Sequence, residues 1–199
     1  MKKKLISILI TNYNKQKFIN KCLRSVSKQT FKNFEIILFD DCSSDNSINI
    51  IKKFKNVKLI RNKIRSNKSP ALNQINGIIK AFKKSRGNII CLMDSDDFFT
   101  QNKLKVIDKK FEENRFSCVY NYPKANKNLF LFKEKKNTNK IWPTIFPTSC
   151  LSFTKKSFKI FLKNINSNKF YNLEIDARLI IFFKFFFNEY NVIEDKLTI

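Results

Sequence analysis

A single α/β domain, with a mostly parallel central sheet flanked by helices, is the fold this sequence predicts, on three observations. Apolar runs of strand length alternate with stretches of helical periodicity four times within residues 1–114. That alternation is the signature of a parallel sheet with helices on both faces. The chain of 199 residues has room for one full core, and it shows neither an internal repeat nor a linker.

The elements follow in order. Leu5 to Ile10 reads as a buried strand, after which Asn14 is placed to cap a helix turning Phe18, Ile19, Cys22, Leu23 and Val26 inward. "FEIILFD" is a second buried strand ending at Asp40, and Ser44 or Asp45 starts a helix with Ile48, Ile51 and Phe54 on its inner face. "VKLIR" is the third strand. Ser69 and Pro70 form an N-cap followed by proline at the first helical position, with Leu72, Ile75, Ile79 and Phe82 as the buried stripe. "NIICLMD" is the fourth strand, and Thr100 caps the helix after it. Beyond residue 114 the pattern loosens. "FSCVYNY" is a strand, residues 123–140 are a Lys/Asn-rich surface segment around an "LFLF" strand, helices fall near 155–165 and 174–188, and "NVIEDKLTI" closes as a strand.

Composition narrows the function. A hydrophobic fraction of 43% with 22 Phe belongs to a globular chain. The formal charge of +24, from 40 Lys and Arg against 16 Asp and Glu, attracts nucleotides, nucleic acid or anionic membrane. Lys, Asn, Ile and Phe dominate while Gly occurs twice, so coding bias accounts for part of that excess. The lysines are spread along the chain without a tract, an aromatic–basic RNA-binding motif or zinc-finger spacing, so no nucleic-acid partner is expected. The five cysteines lack any C-x-x-C and read as reduced residues of a cytoplasmic protein. The basic start "MKKKLISILITNYN" resembles a signal peptide, but its apolar run breaks at Thr11 and Asn12, and a strand is the better reading. "LIIFFKFFF" is far short of the roughly 20 residues that span a bilayer. The absence of histidine excludes Ser-His-Asp and Cys-His catalysis and leaves carboxylates, Lys, Tyr or Cys as bases.

In an open parallel sheet, ligands bind beyond the carboxyl ends of the strands. The first four strands run there into "TNYN", "DDCSSD", "RNKIRSN" and "DSDD". Solvation explains any one of these clusters but poorly explains all of them at one edge. An EF-hand is excluded, because the positions that need Gly and Glu hold Asn46 and Lys52, or Phe99 and Lys105. A Rossmann dinucleotide turn is excluded because "TNYNKQ" has no glycine. A divalent metal on carboxylates is the other way to hold a diphosphate.

The ordered segments "ILITNYNKQKFINKCLRSVSKQTFKNFEIILFDDCSSDNS", "SPALNQINGIIKA" and "GNIICLMDSDD" resemble a family 2 glycosyltransferase with the GT-A fold. The resemblance implies inverting transfer of a sugar from a nucleotide-sugar, most often a UDP-sugar, with Mn2+ or Mg2+ as cofactor. By position, Thr11, Tyr13 and Asn14 match the segment lining the base pocket, and Asp41 matches the aspartate that pairs with uracil. Asn73 matches the Asn that closes over the nucleoside, and Asp94 and Asp96 match the D-x-D pair that touches ribose and holds the metal. The catalytic base matches an acidic motif at a helix start, here Asp176, with Glu174 as the alternative. Departures are Ile10 for the usual proline, Cys42 for the glycine of "DDGS", Leu72 for a frequent Arg, and no glycine after the third strand.

Residues 1–114 are then the nucleotide-sugar-binding half and 115–199 the acceptor-side half, with a C-terminal acceptor segment expected beyond Ile199. The implied acceptor is a glycan or lipid-linked saccharide of surface polysaccharide, lipooligosaccharide or capsule synthesis. Peripheral contact with anionic membrane at the inner face is expected if the Phe182–Phe187 run is exposed; the competing reading is core. A non-catalytic nucleotide-sugar-binding module and a nucleotidyltransferase are the alternatives.

Overall fold

The computed structural model describes residues 4–113, 116–124, 146–165, 169–187 and 190–199. Its strands are β1 (Ile6–Asn12), β2 (Phe34–Asp40), β3 (Val57–Arg61), β4 (Ile89–Asp94), β5 (Cys118–Pro123), β6 (Leu151–Thr154) and β7 (Tyr190–Thr198). They form one seven-stranded sheet in the order β3-β2-β1-β4-β6-β5-β7. Pairings among β3, β2, β1 and β4 are parallel, β6 runs antiparallel to β4 and β5, and β7 pairs parallel with β5. The mostly parallel α/β sheet is as expected.

The helices are α1 (Ile19–Ser27), α2 (Ser47–Ile51), α3 (Pro70–Lys83), α4 (Lys103–Glu112), α5 (Lys155–Asn164) and α6 (Ile175–Phe182), the last running into a π-helical turn at Phe183–Phe187. They cover both faces. Ile6, Ile8 and Ile10 of β1 pack with Cys22, Leu23 and Val26 of α1 and with Leu104 and Ile107 of α4. Leu9 points the other way, into a core with Ile75 and Ile78 of α3, Phe158 of α5 and Leu179 of α6. The two-residue side-chain period of a strand makes that division, which is why β1 is apolar on successive residues.

Several local expectations shift. β1 runs two residues further than expected, to Asn12, because its pairing with β2 continues to Asn12 opposite Asp40. Asn14 does not cap α1: it sits at φ 50°, and its Oδ1 accepts from the Ser44 and Asp45 amides at 2.9 and 3.4 Å, thirty residues on. α2 begins at Ser47, where Asp45 Oδ1 accepts the Ser47 amide at 2.9 Å. Ser69 caps α3 as expected, its side chain accepting from the Leu72 amide. The buried stripe of α3 includes Ile78, while Ile79 and Phe82 are half-buried. The Thr100 side chain does not cap α4; Gln29 Oε1 accepts the Leu104 amide at 3.0 Å instead. β6 was not anticipated. The expected "LFLF" strand lies outside the described residues.

Both glycines stand where a side chain does not fit. A Cβ on Gly87 would come within 2.6 Å of the Ser7 amide and hydroxyl, and one on Gly77 within 2.5 Å of the Phe39 ring. Gly87 therefore lets the lead-in to β4 close against β1, its amide donating to Ser7 Oγ at 2.8 Å.

Candidate active site

Strand order reverses between β1 and β4: the chain builds β1, β2 and β3 outward on one side and then returns to place β4 on the other. At such a switch point the loops diverge and leave a crevice. A cleft of about 320 Å³ opens there, walled by Thr11, Tyr13, Asp41, Asn73, Asp94, Asp96 and Glu174 of the expected residues. Asn14 and Asp176 are not in its wall. Lys15, Arg65, Gln74 and Ser95 are among the further residues that line it, and no motif in the sequence points to them.

The β4 end carries the acidic cluster. Asp94 ends the strand with its amide on Ser149 Oγ at 2.8 Å, and its Oδ1 accepts from Gln74 Nε2 at 2.8 Å and Thr11 Oγ1 at 3.2 Å. Burial, and then the neighbouring charges of Asp97 and Asp96, push its carboxyl up to about 7. Asp96 meets Lys15 Nζ at 2.5 Å. Beneath the cluster lies Lys103, wholly buried, donating to the Ser149 carbonyl and to Thr198 Oγ1 at 2.7 Å; burial brings its ammonium down to about 8.

The β2 end carries two aspartates with different work. Asp40 is wholly buried and accepts from Asn12 Nδ2 at 2.8 Å and from the Ser43 amide and hydroxyl at 3.0 and 2.5 Å, so it builds the turn. Asp41 faces the cleft, its Oδ1 accepting from Asn62 Nδ2 at 2.9 Å and its Oδ2 lying 3.0 Å from Arg65 Nε. The Arg65 guanidinium lies 3.7 Å from the centre of the Tyr13 ring. Cys42, at the position of the family's glycine, takes φ 61°, the left-handed region that favours glycine.

At the third corner Glu174 precedes α6 in the cleft wall, while Asp176 in its first turn is only 9% exposed. Burial, with the Glu174 charge adding to it, pushes Asp176 up to about 6.

Among the described residues no group of three His, Cys, Asp or Glu forms a metal cage. Two carboxylates at the end of one strand still suit Mg2+ or Mn2+, because Mg2+ is commonly held by one or two carboxylates together with substrate phosphates. The Lys15 ammonium already at Asp96 shows that this position accepts a cation.

A mostly parallel sheet with a carboxylate-walled cleft at its switch point defines the class: this is a GT-A fold. The chain belongs to the family described as glycosyl transferase family 2, whose model matches residues 7–188. It is 33% identical over 132 residues to the Escherichia coli UDP-Glc:alpha-D-GlcNAc-diphosphoundecaprenol beta-1,3-glucosyltransferase WfgD, covering 65% of this chain and 50% of that one. It is 31% identical over 136 residues to glycosyltransferase GlyG of Streptococcus pneumoniae, covering 64% of this chain and 43% of that one. The chain thus spans half or less of these curated relatives. In fold it matches Staphylococcus aureus TarS 1–349 in complex with UDP, with a TM-score of 0.76 and 22% identity over 97% of this chain and 59% of that one. It also matches a Pyrobaculum calidifontis mannosyltransferase in complex with GDP-Man and Mn2+, with a TM-score of 0.67 and 14% identity over 97% of this chain and 55% of that one.

Proposed function

We propose that the protein is a metal-dependent inverting glycosyltransferase that moves a sugar from a nucleotide-sugar, a UDP-sugar by preference, to a hydroxyl of a glycan or lipid-linked acceptor. One observation carries the reading: Asp41, joined to Tyr13 through Arg65, and the pair Asp94 and Asp96 wall a single cleft from strands on opposite sides of β1, which gives the cleft two ends. An aromatic face with a carboxylate suits a base with a ring N–H, and paired carboxylates suit a metal-bound diphosphate. The UDP complex of TarS and the UDP-Glc donor in the name of the E. coli relative support a uridine donor. That relative's diphosphoundecaprenol substrate supports a lipid-linked acceptor.

Asp94 and Asp96 would hold Mn2+ or Mg2+, which supplies Lewis-acid neutralisation of the charge that develops on the departing diphosphate. For the ion to bind, Lys15 must release Asp96. Thr11 and Gln74 keep the Asp94 carboxylate oriented into the cleft. The acceptor oxygen attacks the anomeric carbon from the face opposite the diphosphate, which leaves with the bonding electron pair, and the configuration inverts. A carboxylate at the head of α6 takes the hydroxyl proton. Asp176 is given that role by its match to the family's acidic motif at the helix start, a raised pKa suiting a base near neutral pH, and Glu174, which unlike Asp176 stands in the cleft wall, is the alternative.

Screening nucleotide-sugars for nucleotide release tests the class. UDP released from a UDP-sugar supports it, pyrophosphate from an NTP would mark a nucleotidyltransferase, and tight binding without turnover would mark a binding module. Asp176→Asn should cut turnover by about 10²–10⁴-fold with UDP binding intact. In the unmodified protein activity should rise through pH 6 as Asp176 loses its proton. Its raised pKa also means that Asp176 favours the fold most below its unfolded pKa, a contribution lost as pH rises through about 6. The Asn variant should therefore be no less stable than the parent at pH 7. Loss below tenfold, with a much greater loss in Glu174→Gln, transfers the role to Glu174.

A membrane-facing surface is the second part of the reading. Phe170, Phe185 and Phe186 are 77, 63 and 71% exposed beside an apolar groove of about 600 Å³ that Lys169 and Arg178 also line. Part of the Phe run is thus core, Phe183 being fully buried, and part faces outward. Among the described residues no helix is long and apolar enough to cross a membrane. Exposed Phe beside basic residues suits peripheral contact with anionic lipid at the cytoplasmic face. Sedimentation with anionic vesicles at low salt, reduced in Phe185→Ser/Phe186→Ser, is the expected result.

A further inference from the structure

The cleft is not empty at its nucleobase end, and what fills it has the shape of what it should bind. Resting on the nucleobase reading above, we propose that Arg65 is a built-in occupant of the base slot that an incoming nucleobase must displace. Its guanidinium is a planar group with N–H donors along its edge. It covers the Tyr13 ring at 3.7 Å and brings Nε within 3.0 Å of Asp41 Oδ2. Those are the two contacts assigned to the base, a face on Tyr13 and a ring N–H on Asp41. One ring face cannot carry both planar groups at once, and a base stacked there would displace the guanidinium from beside Asp41 as well.

Two further features make this an exchange rather than a fixed ion pair. Asp41 Oδ1 is already engaged by Asn62, whereas Oδ2 and Arg65 Nε are both buried and, despite their closeness, share no properly aimed hydrogen bond. Oδ2 therefore remains an acceptor for a better-directed N–H. The backbone on either side of Arg65 is held in place. Asn62 Nδ2 donates to the Ile64 carbonyl at 2.6 Å and Asn73 Nδ2 to the Ser66 carbonyl at 2.7 Å. The side chain, 27% exposed, is the part free to swing.

The exchange selects among bases. Uracil and guanine present a ring N–H where Asp41 needs a donor, so they replace what Arg65 supplied. Cytosine and adenine present a lone pair at that ring nitrogen and, held in the same pose, would leave the carboxylate facing an acceptor after expelling its counter-ion. Apparent affinity for any nucleoside is lowered by the fraction of protein in which Arg65 holds the slot.

Calorimetric titration of the full chain with uridine, which carries no phosphate to respond to the lost charge, tests this directly. Arg65→Ala and Arg65→Met, the second preserving the length of the side chain, should bind uridine about tenfold more tightly, the scale of a partly exposed ion pair plus a cation–π contact. Circular dichroism checks that each variant is folded. Equal or weaker uridine binding in both Arg65 variants, with Asp41→Ala also weaker than the parent, overturns the displacement and leaves the base site standing. Unchanged binding in Asp41→Ala and Tyr13→Ala shows the base site itself to be misplaced, and the proposal falls with it.

Discussion

At each end of the cleft a carboxylate is matched by one of the chain's own cations, but the two pairs differ in how they are held. Arg65 and Asp41 meet at 3.0 Å with side chains 27% and 10% exposed, over the Tyr13 ring and between the Asn62 and Asn73 anchors. Lys15 and Asp96 meet at 2.5 Å, yet their side chains are 39% and 38% exposed, with water competing for both charges. A solvated pair of this kind contributes little, about 0–1 kcal/mol, whereas a guanidinium stacked on an aromatic face is harder to dislodge. On the proposed division of the cleft, the phosphate end would yield its cation cheaply to a divalent ion, while the base end would demand a ligand with the right face and the right donor.

The largest break in this picture should come from Asp96→Ala. Losing the carboxylate proposed to anchor the metal should lower metal-dependent turnover by about 10²–10⁴-fold, because several kcal/mol of charge neutralisation would be removed. Full activity with unchanged metal dependence in that variant would remove Asp96 from the site. A much smaller effect sharpens the contrast between the ends. Lys15→Met frees Asp96 of its competitor, and Mn2+ binding to the nucleotide-free protein, read by calorimetry, should tighten by about threefold, in keeping with an exposed pair. A tightening of a hundredfold would mean that the phosphate end is as firmly closed as the base end.

The smallest effect concerns the turn that presents Asp41. Cys42 is held at φ 61°, which costs a residue with a Cβ roughly 1–2 kcal/mol, partly offset in glycine by a more flexible unfolded chain. Cys42→Gly should raise stability by about 1 kcal/mol in urea unfolding and leave Mn2+ affinity unchanged. Destabilisation would show that the contact of Cys42 Sγ with the Lys63 carbonyl, at 3.4 Å, outweighs the backbone strain.

What could be read from the sequence follows a physical divide. β1, β2 and β4 were legible because each is an apolar run buried on both faces and followed by a polar turn at the same sheet edge, whereas β3, a half-exposed edge strand, was marked only by the short apolar-rich "VKLIR" between polar turns. β6 was not, because "LSFT" is too short to show a period and its register is set from outside, by Ile90 opposite Phe153 and Val119 opposite Ser152. Asn14 and Thr100 look like local caps in the sequence, whereas Asn14 bonds thirty residues away and Gln29 reaches across to α4. The site's carboxylates stood out in a chain with only 16 acidic residues. Lys15 and Arg65 were hidden among 40 basic ones, and nothing in the sequence marks which of those turn into the cleft.

A cleft with a base end and a phosphate end can be tested in one series of titrations: uridine and UDP, each with and without Mn2+, into the parent, Asp41→Ala and Asp96→Ala. Asp41→Ala should weaken uridine and UDP alike, by about 10–100-fold for one charge-assisted hydrogen bond, with or without Mn2+. Asp96→Ala should leave uridine untouched and abolish only the gain in UDP affinity that Mn2+ brings. Uridine binding that falls with Asp96→Ala, or a Mn2+ gain that survives it, would contradict the division of the cleft between base and diphosphate.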